Sequence, residues 1–225
     1  MQANKKIAVV TGILFIVATF AALLAAAIEP ILTRTDYLAS ISANANKVTV
    51  DILFYLIAAF TSVGIAISMY PVMKKSNVGL SIGSLVFRTI EAVFYIVAVV
   101  SLLSVLTLSR KFMTAEASDR AVLQVVGDSF LRVREHATLA AVFAFSVGAF
   151  MYYYLFFQSG LVPRWLSGWG IVATILMLTA CVLSLFSDRP VTGYAILIIP
   201  IAVQEMVLAV WLIIKGFNVE EPPLS

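Results

Sequence analysis

The sequence predicts an all-α, polytopic transmembrane bundle of six helices, with short amphipathic helices in its two long outer connections. Three observations carry that prediction. The chain is 62% hydrophobic and only 12% charged, against about 25% for a soluble domain, so it lacks the polar side chains to cover a water-facing surface. Its mean hydropathy is +1.03. Six apolar stretches reach the roughly 20 residues that a helix needs to cross a bilayer, and they leave no room for a separate soluble domain.

The first span, Ile7–Ala27, follows Lys5-Lys6 and ends in small residues, as a secretory signal would. Its apolar run exceeds a typical signal core, so it reads as a retained helix, with Ala18, Ala22 and Ala26 as a small-residue packing face. The connection Glu29–Val50 looks partly helical and leads to the second span, Asp51–Tyr70. The third span, Val78–Thr107, opens with Gly79-x-x-x-Gly83, another close-contact face. In Leu108–Glu135, residues Ala121, Val122, Val125, Val126, Phe130 and Leu131 recur at helical spacing between charges, which predicts an amphipathic helix on the membrane surface or capping the bundle. The fourth span, His136–Phe157, ends in Tyr152-Tyr153-Tyr154, which reads as an interfacial belt. The turn Ser159-Gly-Leu-Val-Pro163-Arg-Trp165 leads to the fifth span, Leu166–Phe186, and Gly193–Ile214 is the sixth. Trp165, Trp169 and Trp211 near span ends read as anchors. Residues 1–217 form one domain, and 218–225 is expected to be a disordered cytoplasmic tail.

A cytoplasmic N-terminus places Lys5, Lys6, Lys74, Lys75, Arg164 and Lys215 inside. More basic residues lie outside, but most of them sit in Leu108–Glu135 among Glu116, Asp119, Asp128 and Glu135. The tight inner turns carry the Lys-Lys pairs and the first helix usually dominates orientation, so both termini are expected in the cytoplasm. The pI near 9.0 suits anionic lipid headgroups rather than nucleic acid. Cys181 is the single cysteine and cannot form an intrachain disulfide.

Arg88, Glu91 and Glu205 interrupt runs otherwise suited to hydrocarbon. A mid-bilayer charge costs about 2.5–3.5 kcal/mol even on mild scales, and such residues are usually functional. Ser81, Ser84, Arg88, Glu91 and Tyr95 share one helix face, which should look into the bundle. Glu205 follows Gln204, and Pro200 upstream kinks its helix. Counting about 1.5 Å per residue puts Arg88, Glu91 and Glu205 at one depth, as a Glu–Arg–Glu cluster. Arg88, Glu91, Glu205, Tyr95, Ser84 and Gln204 are therefore the candidate ligand-binding residues. Two readings stay open: a charged midplane cavity for a small polar or amphiphilic ligand, or a tie that only fixes helix packing.

Glu29, Asp51 and His136 form a weaker group near the outer face. One His without nearby Cys is a poor metal set, and acidic residues such as Asp51 and Glu135 at helix starts suit the helix dipole instead. No metal and no cofactor is expected. No Gly-x-Ser-x-Gly, no phosphate loop and no multi-His set occurs, so an enzyme is not expected. Membrane lipid and a small-molecule ligand are the expected partners, with no nucleic acid; a homo-oligomer has no sequence support.

Asp51, Tyr70-Pro71 with Lys74, Phe87-Arg88-x-x-Glu91-Ala92, Ser159-Gly-Leu-Val-Pro163-Arg-Trp-Leu166 with Gly170, Pro200 with Glu205, Trp211-Leu212 and Lys215-Gly216-Phe217 occur in this order. Together they resemble a family of bacterial six-helix membrane proteins known only as a domain of unknown function, four-three-eight-six in its series. The resemblance covers nearly the whole chain. It implies a bacterial inner-membrane location and makes Arg88, Glu91 and Glu205 shared pattern positions, but it implies no activity, substrate or catalytic residue.

Overall fold

A computed structural model describes residues 2–25, 28–187 and 189–218, and no β-strand occurs among them. The elements are α1 (Gln2–Ala25), α2 (Glu29–Leu32), α3 (Tyr37–Ala43), α4 (Ala45–Met73), α5 (Val78–Thr114), α6 (Ala117–Ser159) and α7 (Arg164–Leu185), then a 3-10 turn (Val191–Tyr194) and α8 (Ala195–Ile214). Six helical stretches are long and apolar enough to cross a membrane. Their outward faces carry bare apolar side chains, such as Phe20 at 57% and Phe60 at 65% exposure, a surface that needs lipid rather than water.

The long helices pack as a ring. α1 lies against α4, α4 against α5, α5 against α6, α6 against α7 and α7 against α8, and α8 returns to α1. One end of the ring holds Lys5, Lys74, Lys75 and Lys215, and we call it the lysine end. There Lys5 Nζ caps α8 by donating to the carbonyls of Ile213 (3.0 Å) and Ile214 (2.5 Å). Gly160, at φ 69°, ends α6 with its N–H on Phe156 O, and Asn218 ties down the following turn through Leu161 O and Gly160 O. Asn77 caps α5 by accepting from Leu80 N.

The cap end differs from the sequence reading. Leu108–Glu135 does not form a helix of its own: it is the end of α5 and the start of α6, which run to 37 and 43 residues. Helices that long outrun the roughly 30 Å hydrocarbon layer, and their polar turns stay helical because helix hydrogen bonds satisfy the backbone in either medium. The first connection does contain short helices, α2 and α3, and α3 packs on the α5 extension while Tyr37 donates to Asp128 (2.8 Å) on α6.

Other expectations are corrected as well. α4 starts at Ala45 and α6 at Ala117, so neither Asp51 nor Glu135 opens a helix, and the dipole explanation for them lapses. Tyr152 and Tyr153 are fully buried instead of interfacial, leaving only Tyr154 exposed in that run, because α6 continues past them to Ser159. On α1, Ala22 is exposed while Ala21 and Ala25 are buried, so the packing face lies one residue away from the one expected. Trp211 has its indole N–H buried without a partner, unlike an interfacial anchor. Residues 26–27 and 219–225 lie outside the described residues, and with them the end of the first span and most of the expected tail.

Candidate functional site

Along the ring axis lie two apolar cores. One, towards the lysine end, gathers Phe15, Met69, Tyr152, Phe156 and Leu212, and the other, towards the cap end, gathers Tyr37, Ile41, Ile52, Tyr55 and Leu102. On α4, Ser62 falls between the stretches that feed the two cores; on α5, Ser84, Arg88 and Glu91 do.

Arg88 is 2% exposed. Its Nη1 lies 3.1 Å from Glu91 Oε2, one turn along the same face, and its guanidinium sits 4.8 Å from the centre of the Phe145 ring on α6. Gly148 permits this approach, since a Cβ there would come to 3.1 Å from Phe87 Cβ and 3.5 Å from Arg88 Cγ. Glu91 Oε2 also accepts from Ser62 Oγ at 2.7 Å. The satisfaction is incomplete. Arg88 Nε and Nη1 and Ser84 Oγ are buried and find no hydrogen-bond partner, the 3.1 Å ion pair being too poorly directed to count as one.

Glu205 faces the same space from α8, but it forms no ion pair with Arg88; among the described residues the ion-pair partner of Arg88 is Glu91. Its oxygens are taken instead by two long hydrogen bonds, from Thr19 on α1 and Tyr152 on α6, both 3.4 Å. The expected three-residue cluster is therefore one ion pair and a separate carboxylate held by hydroxyls. Gln204 is engaged at both ends of its amide: it donates to Leu166 O at 3.0 Å and accepts from Tyr153, tying α8 to α7 and α6. The ring of Tyr153 fills the place a Cβ would take at Gly170 on α7. Tyr95 is half-buried and meets Tyr55 edge-on at 6.0 Å between ring centres.

A second charged group lies at the cap end. Arg134 on α6, 4% exposed, donates through Nη2 to Glu29 Oε2 (3.1 Å) and to the Tyr55 hydroxyl (3.0 Å). Asp51, one turn before Tyr55, is buried at 4% exposure with neither oxygen partnered. His136 is exposed, and no set of three or more His, Cys, Asp or Glu side chains close enough to hold a metal occurs among the described residues. The Asp51, His136 and Glu29 set is thus not assembled, and the cation that Glu29 meets is Arg134. Outside the spans, burial and then the Asp128 acceptor raise the Tyr37 hydroxyl above its ordinary range.

Sequence reasoning missed Arg134, Thr19, Tyr152 and Tyr153 as site residues, and it put Ser62 on one helix face with Asp51 and Tyr55 without joining it to Glu91. A usable signal existed for Tyr152: Gly148 and Phe145 fall one and two turns earlier on its face of α6, marking that face as inward.

Two clefts lie at opposite ends of the ring. One, of about 350 Å³, opens at the lysine end between Asn4, Lys75, Ser76 and Asn218; the other, of about 370 Å³, opens at the cap end beside Asp51. Neither is lined by Arg88.

A family model described as a domain of unknown function (DUF4386) matches residues 10–216. No curated protein and no solved structure matches the chain.

Proposed function

This chain belongs to the DUF4386 family, and from that premise we propose that it is a multi-pass membrane protein that binds or translocates a small polar or amphiphilic ligand at its central polar group. The observation that carries the reading is the set of unpartnered atoms at Arg88 Nε, Arg88 Nη1 and Ser84 Oγ, buried on one face of α5. Buried donors without acceptors are rare in folded proteins, because each forfeits its hydrogen bond to water. A guanidinium with free N–H groups fits an incoming oxyanion or carbonyl. Glu91 orients Arg88, and Glu205, held only by two long bonds from hydroxyls, is the movable wall of the site.

Binding rather than catalysis fits the pairing. Ser62 donates to Glu91, but a carboxylate that already neutralises Arg88 is a poor base for a hydroxyl. The lysines gathered at one end support an orientation with that end and both termini in the cytoplasm of a bacterial inner membrane.

A second reading, in which the ion pair only ties the ring together, is favoured by the two end clefts, neither of which Arg88 lines. Binding in nanodiscs separates the two, using 4-phenylbutyrate, 4-phenylbutanol and 4-phenylbutylamine as acid, neutral and amine forms of one body. On the binding reading the acid raises the unfolding temperature of the wild type more than the alcohol does, Arg88→Gln abolishes the difference, and Glu205→Gln changes its size. A folded Arg88→Gln variant with the acid response intact sinks the binding reading.

A further inference from the structure

We propose that the cap-end cleft is a second site, of opposite charge preference, that takes a small amine with an apolar body and docks its ammonium on Asp51. The cleft lies between the end of α1, α2 and the first turns of α4, and its volume of about 370 Å³ falls in the range of small-molecule pockets, roughly 300–1,000 Å³. Its walls include Leu24, Ile31, Val50 and Phe54.

Asp51 is the carboxylate that lines this cleft, and it is buried with both oxygens unpartnered. An ionised carboxylate against apolar walls is strongly disfavoured until a cation or donor joins it. The neighbouring charges do not supply one. Arg134 is neutralised by Glu29 at 3.1 Å and shares that Nη2 with Tyr55; its Nε is buried without a partner, and among the described residues it forms no ion pair with Asp51. Lys47, one turn before Asp51 on the rim, is exposed to water and forms no ion pair with Asp51 among the described residues. Glu29 and Arg134 pair with each other, which leaves the Asp51 carboxylate, buried in the cleft wall, without a cation of its own. A protonated amine brings several N–H donors to two free oxygens, an alcohol brings one, and an acid is repelled. The apolar walls take the body of such a molecule.

The same three phenylbutyl compounds test this, with the opposite order expected. In phosphatidylcholine nanodiscs the wild type should bind 4-phenylbutylamine about tenfold or more tightly than 4-phenylbutanol, the scale of a charge-assisted hydrogen bond. Asp51→Asn should erase that preference. Val50→Trp, at an exposed wall position, should block all three at this site while leaving Asp51 in place. Arg88→Gln should leave the amine preference intact, so failure here is distinct from failure of the central site. Equal binding of amine and alcohol by the wild type overturns the proposal. So does a preference that survives both Asp51→Asn and Val50→Trp. Loss of amine binding on adding phosphatidylethanolamine would make the lipid headgroup the occupant and overturn the free-amine assignment.

Discussion

Arg88 and Arg134 are both buried in the same ring, yet they are held in different ways. Arg88 takes its partner from its own helix, Glu91 one turn on, and completes its surroundings with a Phe145 ring instead of further acceptors. Arg134 reaches from α6 to Glu29 at the start of α2 and to Tyr55 on α4, so it joins three separate parts of the chain. The i,i+3 pair itself adds no link between helices, and the central group reaches α4 through Ser62 and α6 through the Phe145 ring, whereas an ion pair spanning distant segments fastens them directly. By that criterion Arg134 is the rivet, although its own Nε is also buried without a partner; Arg88 leaves both Nε and Nη1 without one, and the proposed ligand-binding reading rests on that difference.

The comparison can be broken by stability measurements in detergent. Arg88→Ala leaves Glu91 buried with its charge uncompensated, and removing one partner of a buried pair destabilises by about 3–5 kcal/mol. Arg134→Ala should do less, about 1–3 kcal/mol, because the Glu29 side chain it abandons is 27% exposed and can meet water. A larger loss for Arg134→Ala than for Arg88→Ala would invert the ranking. Ser62→Ala removes a 2.7 Å bond to an ionised Glu91 and should cost about 1.5–3 kcal/mol, against about 1 kcal/mol for Tyr55→Phe, where Glu29 still holds Arg134. Equal losses would mean that the central carboxylate is wetter than its burial indicates. His136→Ala, at an exposed site, should stay within about 0.5 kcal/mol and leave the cap-end group intact. A large loss there would put His136 back into that group.

How each arginine reads in the sequence follows from its neighbours. Arg88 stands out because Leu85, Val86, Phe87 and Ile90 surround it; a charge is conspicuous only against apolar residues. Arg134 sits beside Arg132 and Glu135, where a charge looks like part of a solvated stretch, and its burial depends on α2 and α4 arriving from far along the chain. The spans were legible because hydrocarbon imposes length and polarity together. The helix ends were not, since a helix leaving the membrane keeps its backbone bonds while its side chains turn polar, as Ala45–Val50 and Arg110–Thr114 do. Tyr152 and Tyr153 were misplaced for the same reason: their distance from the span end was counted from Phe157, while their helical phase pointed inward. The depth of Glu205 was readable, but its partners were not, because Thr19 and Tyr152 come from the first and fourth spans.

The central claim is that Arg88 offers its free N–H groups to a ligand. Solid-state NMR on protein labelled with ¹⁵N-arginine, in nanodiscs with ¹³C-carboxyl 4-phenylbutyrate, reads this directly through dipolar coupling, with Arg88→Lys assigning the signal. The expected result is a coupling between the ligand carboxyl and an Arg88 side-chain nitrogen at hydrogen-bond range, lost in Arg88→Lys. A ligand that binds with no such coupling, while the Arg88 nitrogens stay coupled only to the Glu91 carboxylate, would contradict it and leave the pair a helix tie.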